Sequence, residues 1–379
     1  MEPRHVPVKD GDVLLLVGTT KGAFLVRSNA ARARWEVGGP YFPGMNVYAL
    51  GYDGRARRRI WAGTTSEHWG PGLSSSDDFG KHWTNPKDTP IKFPEDTDAS
   101  VKRIWQIRAG RADEPGVLYA GVEPAALFRS SDGGERWELV RGLWDHPHRP
   151  QWQPGGGGLC LHTILPDPAS RGRMFVAIST GGVYRTDDGG VTWRTAHRGV
   201  RADFLPNKHP EFGQCVHKVV MHPSKPARLF LQNHWGLYRS DDAGDSWQDI
   251  ANGVPSDFGF AMTMHPHDPE TVYIVPLESD EFRVLETVLR DAMDADPLNP
   301  AGVYFGTRSG KLFGSANGGA SWIRVLDGLP PVLNVKAVAV GEPAKASFTK
   351  PRTAAAKQTM ARRSMPAARR AGATMRKKK

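Results

Sequence analysis

Short β-rich runs recur along this chain in a fixed order, and the order says more than any single run. One set of apolar runs falls at residues 47–50, 104–108, 161–165, 216–221, 260–264, 285–289 and 335–340. A second set falls at 14–19, 59–63, 118–122, 174–179, 229–232, 272–276 and 303–307. Runs of this length, bounded by Gly, Pro, Asp and Asn, predict strands. The run at 285–289 is ambiguous, because Phe282, Leu285, Leu289 and Met293 also have helical spacing. Its match to Leu161-His162-Thr163-Ile164-Leu165 favours a strand.

After each second-set run, or near it, the chain repeats one polar phrase. The copies are Ser75-Ser76-Asp77-Asp78-Phe79-Gly80, Ser130-Ser131-Asp132-Gly133-Gly134, Arg185-Thr186-Asp187-Asp188-Gly189-Gly190, Arg239-Ser240-Asp241-Asp242-Ala243-Gly244 and Gly314-Ser315-Ala316-Asn317-Gly318-Gly319. Each is followed by a Trp: Trp83, Trp137, Trp193, Trp247 and Trp322. With Asp77, Asp132, Asp187, Asp241 and Asn317 taken as equivalent, the intervals are 55, 55, 54 and 76. A fixed period of this size means a radial or stacked repeat. Asp with Ser or Thr bonds nearby amides, Gly supplies a positive φ, and the Trp covers a neighbouring sheet, so the phrase is a structural hairpin corner. Ser28 and Trp35 keep the same spacing as an eroded corner in the first unit.

The corner phrase resembles that of the BNR or Asp-box β-propellers, over roughly residues 13 to 340. That group includes sialidases, xyloglucan hydrolases, sortilin-type receptors and a photosystem assembly factor, and bacterial proteins labelled sialidase-like or glycosyl-hydrolase-like are the nearest in kind. The resemblance speaks to fold and is nearly silent about activity. Seven runs of each set predict an all-β propeller of seven blade positions. The last inner strand has no downstream partners and the chain starts with a second strand, so the two ends are expected to share one blade and remove free edges. The interval of 76 falls about 34 short of two periods of 55, so one blade, about 260–283, is expected to be truncated.

Composition adds domain limits. The formal charge is +10, but residues 345–379 hold twelve Lys or Arg and no acid, leaving 38 basic against 40 acidic residues elsewhere. The expected organisation is an N-terminal arm at 1–10, a propeller at 11–344 and a disordered Lys/Arg/Ala-rich tail at 345–379. Such a tail either solubilises or binds polyanions such as nucleic acid non-specifically. Val13-Leu14-Leu15-Leu16-Val17 is too short to span a membrane and lacks the flanks of a signal peptide. With two cysteines, no disulfide framework is expected, and the location expected is cytoplasmic.

Residues that start inner strands and end second strands should converge on one mouth of the channel, opposite the corners. The first group is Tyr48, Trp105, His162, His217, Phe260 and Glu286; the second is Thr20, Glu123, Thr180, His234, Glu278 and Arg308. The loop Glu67-His68-Trp69-Gly70 is inserted nearby, and Gly155-Gly156-Gly157-Gly158 should overhang the mouth. The expected ligand is a small molecule, carbohydrate, peptide or metal, held by His68, Trp105, Glu123, His162, His217, His234, Glu278 and Arg308.

Two units repeat Cys-x-His, as Cys160-Leu161-His162 and Cys215-Val216-His217. Alternation puts each Cys and His on one side of its strand, a donor set suited to zinc, with His234 and Glu278 as a second possible set. The same pattern also fits Cys packed as a small hydrophobe and His facing channel water. Carboxylates for glycosidase chemistry are Glu67, Glu123, Glu278 and Glu286, the last three the catalytic candidates, and such an enzyme needs two at a defined separation. The resemblance to sialidases stops short of their Arg-Ile-Pro signature, since Lys102-Arg103-Ile104-Trp105 lacks the proline. Three readings follow: a binding propeller without catalysis, a glycosidase-like hydrolase or lyase at the same mouth, and a protein-assembly scaffold.

Overall fold

The computed structural model describes residues 2–55, 57–84, 89–277 and 286–341. They form a β-propeller arrangement in which the only α-helix is the single turn Arg141–Trp144. The first sheet runs outward from Val332–Ala339 through Val13–Thr19 and Gly22–Ser28 to Glu36–Tyr41. The second is Asn46–Asp53, Arg59–Ser66 and Gly70–Ser76; the third is Arg103–Ala109, Leu118–Glu123, Ala126–Ser130 and Glu138–Leu139. The fourth is Leu161–Pro166, Met174–Ile178, Gly182–Thr186 and Arg194–Thr195. The fifth is Val216–His222, Lys225–Asn233, Leu237–Ser240 and Gln248–Asp249. A two-stranded sheet, Gly259–Met264 with Val272–Pro276, comes next, and the last sheet is Met293–Ala295, Val303–Gly306, Leu312–Ser315 and Ile323–Leu326. No helix among the described residues is long and apolar enough to cross a membrane.

Each inner strand packs against the next sheet, and the last sheet returns to the first, so the sheets close a ring. The seam is the antiparallel pairing of Val13 with Ala339 through Thr19 with Val332, as the strand order predicts. The core lies between sheets rather than in one central mass. Trp61 and Leu73 meet Ile104, Phe128 and Trp137 between the second and third sheets, while Leu127 and Trp152 meet Leu161, Val176 and Trp193 between the third and fourth. Burial of these large side chains drives the stacking. Close approach needs glycine: a Cβ on Gly18 would stand 2.3 Å from the Val47 carbonyl, and one on Gly121 2.3 Å from that of Leu161.

The corners form as turns, with one correction to their alignment. The buried Ser130 hydroxyl donates to Asp132 Oδ1 at 2.9 Å and accepts from the Gly134 amide at 2.9 Å. The equivalent acids elsewhere are Asp78, Asp188 and Asp242, reached from Ser76, Thr186 and Ser240, with Asn317 reached from Ser315. The expected turn acids Asp77, Asp187 and Asp241 lie one residue too early. They form ion pairs with Arg59 and Arg228 on the second strand of the same sheet, and with Arg173 immediately before it. In an Asp-Asp pair both residues have the right chemistry, and only the second lies two residues after the hydroxyl. Hydrogen bonds from the Thr192 hydroxyl and amide hold Asp188 down to about 2.

The inner strand expected at 285–289 is also displaced from its expected place. Residues 286–289 are not a strand; the inner strand is Met293–Ala295, and residues 278–285 lie outside the described set. The physical marker is the turn after it. Asp296 is buried and accepts from the Leu298 and Gly302 amides, as Asp167 accepts from those of Ala169 and Ser170. This Asp-Pro turn, Asp296-Pro297 beside Asp167-Pro168, sets the register that the apolar match obscured. The N-terminal arm is partly tied down, since Arg4 and Gly39 exchange backbone hydrogen bonds. The expected tail at 345–379 lies outside the described residues.

Candidate functional site

A bulge recurs at the start of the inner strands. Register breaks between Val47 and Ala49, Ile104 and Gln106, Leu161 and Thr163, Val216 and Lys218, and Gly259 and Met262. The residues inside these breaks include Tyr48, Trp105, His162, His217 and Phe260. A bulge re-aims a side chain away from the ladder. In the first sheet the break after Gly18 leaves Leu333 unpaired in the same way.

Four of these bulge residues and Leu333 line a cavity of about 500 Å³ at the channel mouth. Tyr48, Trp105, Phe258 and Phe260 form its aromatic wall, Gly155, Gly156 and Gly157 border it, and Cys215, His217, His234, Arg290 and Asp291 supply polar groups. Tyr48 and Trp105 lie 5.1 Å apart between ring centroids, and the Arg290 guanidinium stands 5.5 Å from the Trp105 ring. His217 touches Phe260 at 4.6 Å and His234 at 5.5 Å, so histidine and phenyl rings share one corner.

The expected site residues divide into three groups. Trp105, His217 and His234 face the cavity. Glu123 is set beside it: its Oε2 accepts from the Trp105 indole at 3.2 Å and from Arg103 at 3.3 Å, fixing the ring rather than presenting a free carboxylate. His162 is fully buried, with Nε2 on the Val216 carbonyl at 3.1 Å and Nδ1 on Thr163 Oγ1 at 3.0 Å. Its imidazole is spent in bridging two inner strands. Glu286 is exposed and bonds Lys311 at 2.6 Å and Ser309 at 3.1 Å, outside the cavity lining. His68 and Arg308 are exposed and do not line the cavity either, and Glu278 lies outside the described residues.

Arg290 and Asp291, with Phe258 of the aromatic wall, are residues that the sequence reading missed. Asp291 occupies the bulge register of the last sheet, where Glu286 was expected, because the Asp-Pro turn places Met293–Ala295 as the inner strand. Its Oδ1 receives Lys218 Nζ at 2.5 Å in a buried ion pair. Its Oδ2 has no hydrogen-bond partner among the described residues. Burial lowers the Lys218 ammonium from its ordinary range, and Asp291 opposes that shift.

The two cysteines differ. Cys160 is buried, and burial pushes its thiol up to about 11 despite Arg290, which donates to its sulfur at 3.5 Å. Cys215 is half-buried and sits 3.6 Å from His217 Nε2, while the other ring nitrogen of His217 donates to the Gly259 carbonyl at 2.7 Å. Burial and the nearby Arg290 charge hold His217 down to about 3, so its imidazole stays neutral at ordinary pH. The expected four-residue zinc set is therefore not assembled, because Cys160 and His162 face other partners.

No protein-family model matches the chain. Its sequence is similar to a probable oligoxyloglucan-reducing end-specific xyloglucanase of Neosartorya fischeri, at 27% identity over 191 residues, or 47% of this chain and 19% of that protein. It is also similar to an oligoxyloglucan-reducing end-specific xyloglucanase of Emericella nidulans, at 26% identity over 225 residues, or 53% of this chain and 26% of that protein. The chain thus matches about a fifth to a quarter of the length of these curated relatives. Among solved structures, a GH74 enzyme of Niastella koreensis aligns with a TM-score of 0.50 at 17% identity, covering 84% of this chain and 44% of that one. At that identity the likeness shows the fold: this chain is built as a β-propeller of the kind found in GH74 enzymes.

Proposed function

We propose that the chain binds a carbohydrate in the cavity at the channel mouth. The observation that carries this reading is the aromatic wall of Tyr48, Trp105, Phe258 and Phe260 around about 500 Å³, with few polar groups aimed inward. A sugar ring offers apolar C–H faces to such a wall and hydroxyls to its rim, and ligand cavities of this size and balance are common. Ser179, His234 and Arg290 supply polar contacts at its rim. The xyloglucanase names of the curated relatives support a carbohydrate over a peptide. In the same reading the corners are Asp-box hairpins and the two-stranded sheet is the truncated sixth of seven blade positions.

The test is calorimetric titration with xyloglucan oligosaccharides. Trp105→Ala should weaken binding by about 2 kcal/mol, roughly thirtyfold, as loss of a central aromatic contact does. Unchanged affinity in that variant would move the ligand elsewhere.

A second reading, glycoside hydrolysis, is favoured by the relatives' activity. A two-carboxylate mechanism needs a pair across one site, and Asp291 is the one acid lining the cavity among the described residues. Release of reducing sugar from the same oligosaccharides, abolished in Asp291→Asn, would select hydrolysis. Binding without release selects recognition.

A further inference from the structure

We propose that Cys215, His217 and His234 form a zinc-binding site whose open position faces the cavity. Their ligand atoms all lie within 4.8 Å of one another. Zinc bonds of about 2.0–2.3 Å place tetrahedral ligand atoms roughly 3.3–3.8 Å apart. The Cys215–His217 pair already meets that spacing at 3.6 Å. His234 needs only a small inward swing, and its ring nitrogens have no hydrogen-bond partner among the described residues. Its amide donates to the Cys215 carbonyl at 3.1 Å, which ties the third ligand to the first through the backbone.

The second observation is the Gly259 carbonyl. It takes the Nδ1 proton of His217 and so leaves the Nε2 lone pair directed at the Cys215 side. Metal-binding histidines are oriented by such an outer carbonyl, which fixes the tautomer. An incoming zinc ion must displace the Cys215 thiol proton to solvent, forming the Zn–S bond as the S–H bond is lost. Arg290 lines the same cavity, and its positive charge opposes an incoming dication. Three protein ligands leave a fourth position, and zinc sites of that kind take water or a substrate oxygen there. This inference does not depend on the carbohydrate reading, since the site is tested with the metal alone.

The experiment uses the untagged full chain, stripped with chelator and titrated with zinc, then with cobalt(II) as a spectroscopic probe. One metal per chain is expected, with a near-ultraviolet thiolate-to-cobalt band. Cys215→Ser should abolish the band. Cys215→Ser and His234→Ala should each weaken zinc binding by roughly a hundredfold or more, the upper end of what losing even an outer partner costs. His234→Ala changes a half-buried loop residue and guards against a folding artefact. Cys160→Ser should bind like the parent. Undiminished binding in the Cys215 and His234 variants overturns the proposal, as does equal loss in Cys160→Ser or no binding by the parent chain.

Discussion

The two ends of each sheet obey different rules. At one end, five corners repeat the same Ser/Thr, Asp/Asn and Gly hydrogen bonds. At the other end, the same bulge position holds Tyr48, Trp105, His162, His217 and Phe260 in turn. Register separates the two ends within the third sheet: Ser130 pairs beside Leu118 and Ala109, while Glu123 pairs with Arg103 beside Trp105. Uniform chemistry marks the end that builds the sheet. Varied chemistry on a uniform backbone marks the end that is free to bind. The corners hold their shape through local bonds, so the mouth can change its side chains without altering the turn that positions them.

The strongest test of that division lies at the mouth, where one polar pair is structural. Lys218→Met leaves Asp291 buried without its cation and should destabilise the protein by about 3–5 kcal/mol in chemical denaturation. Lys218→Met with Asp291→Leu should recover most of that loss. A single variant as stable as the parent would show that the mouth carries no stability at all.

At the corner end, Gly134 has φ +93°, and a Cβ there would stand 2.3 Å from the Trp61 ring. Gly134→Ala should cost about 3 kcal/mol through strain and overpacking, and leave ligand affinity of the folded protein unchanged. A loss of affinity at equal occupancy of the native state would mean the two ends are coupled.

Acid should weaken the mouth more than the corners. The unfolded His217 binds its proton near ~6.5, whereas the folded side chain resists to about 3. The unfolded state therefore holds the extra proton between those values, and stability falls as pH drops through that window. At pH ~5 the loss from His217 should be about 2 kcal/mol relative to neutral pH. Thermal melts of His217→Gln should show a flatter pH slope, and an unchanged slope would remove His217 as the cause. His162 is lowered well below its ordinary value, with burial as the largest cause, and adds to the trend in the same direction.

The mildest substitution is Ser240→Ala, which removes the acceptor for the Gly244 amide and the donor to Asp242. It should cost about 1–2 kcal/mol in melting experiments. Equivalent losses from Ser130→Ala would confirm that the corners are interchangeable in energy as well as in geometry.

The sequence made the propeller legible because turn chemistry and strand length repeat at a scale that single residues do not blur. The seam was legible for the same reason, since the run at 335–340 follows the last corner and the run at 14–19 precedes the first. Identity within a corner was harder: Asp77 and Asp78 are chemically equivalent, and only the reach of Ser76 Oγ selects the second. The mouth was half legible. Trp105, His217 and His234 follow from strand register. Arg290 and Asp291 were hidden because Leu285-Glu286-Thr287-Val288-Leu289 imitates an inner strand, while the buried Asp296 turn sets the true frame. His162 and Cys160 show the limit of spacing alone, because whether a polar atom is free depends on partners from another sheet.

The pairing of Val13 with Ala339 makes the ring a late event in the life of the chain. During synthesis the earlier sheets emerge as an open arc, and Val13–Thr19 waits for a neighbour that the ribosome delivers after every other described strand. Until Val332–Ala339 arrives, the buried row Leu14, Leu15 and Leu16 has one flank unpaired, so a stalled or shortened product is a sticky strand in search of a mate.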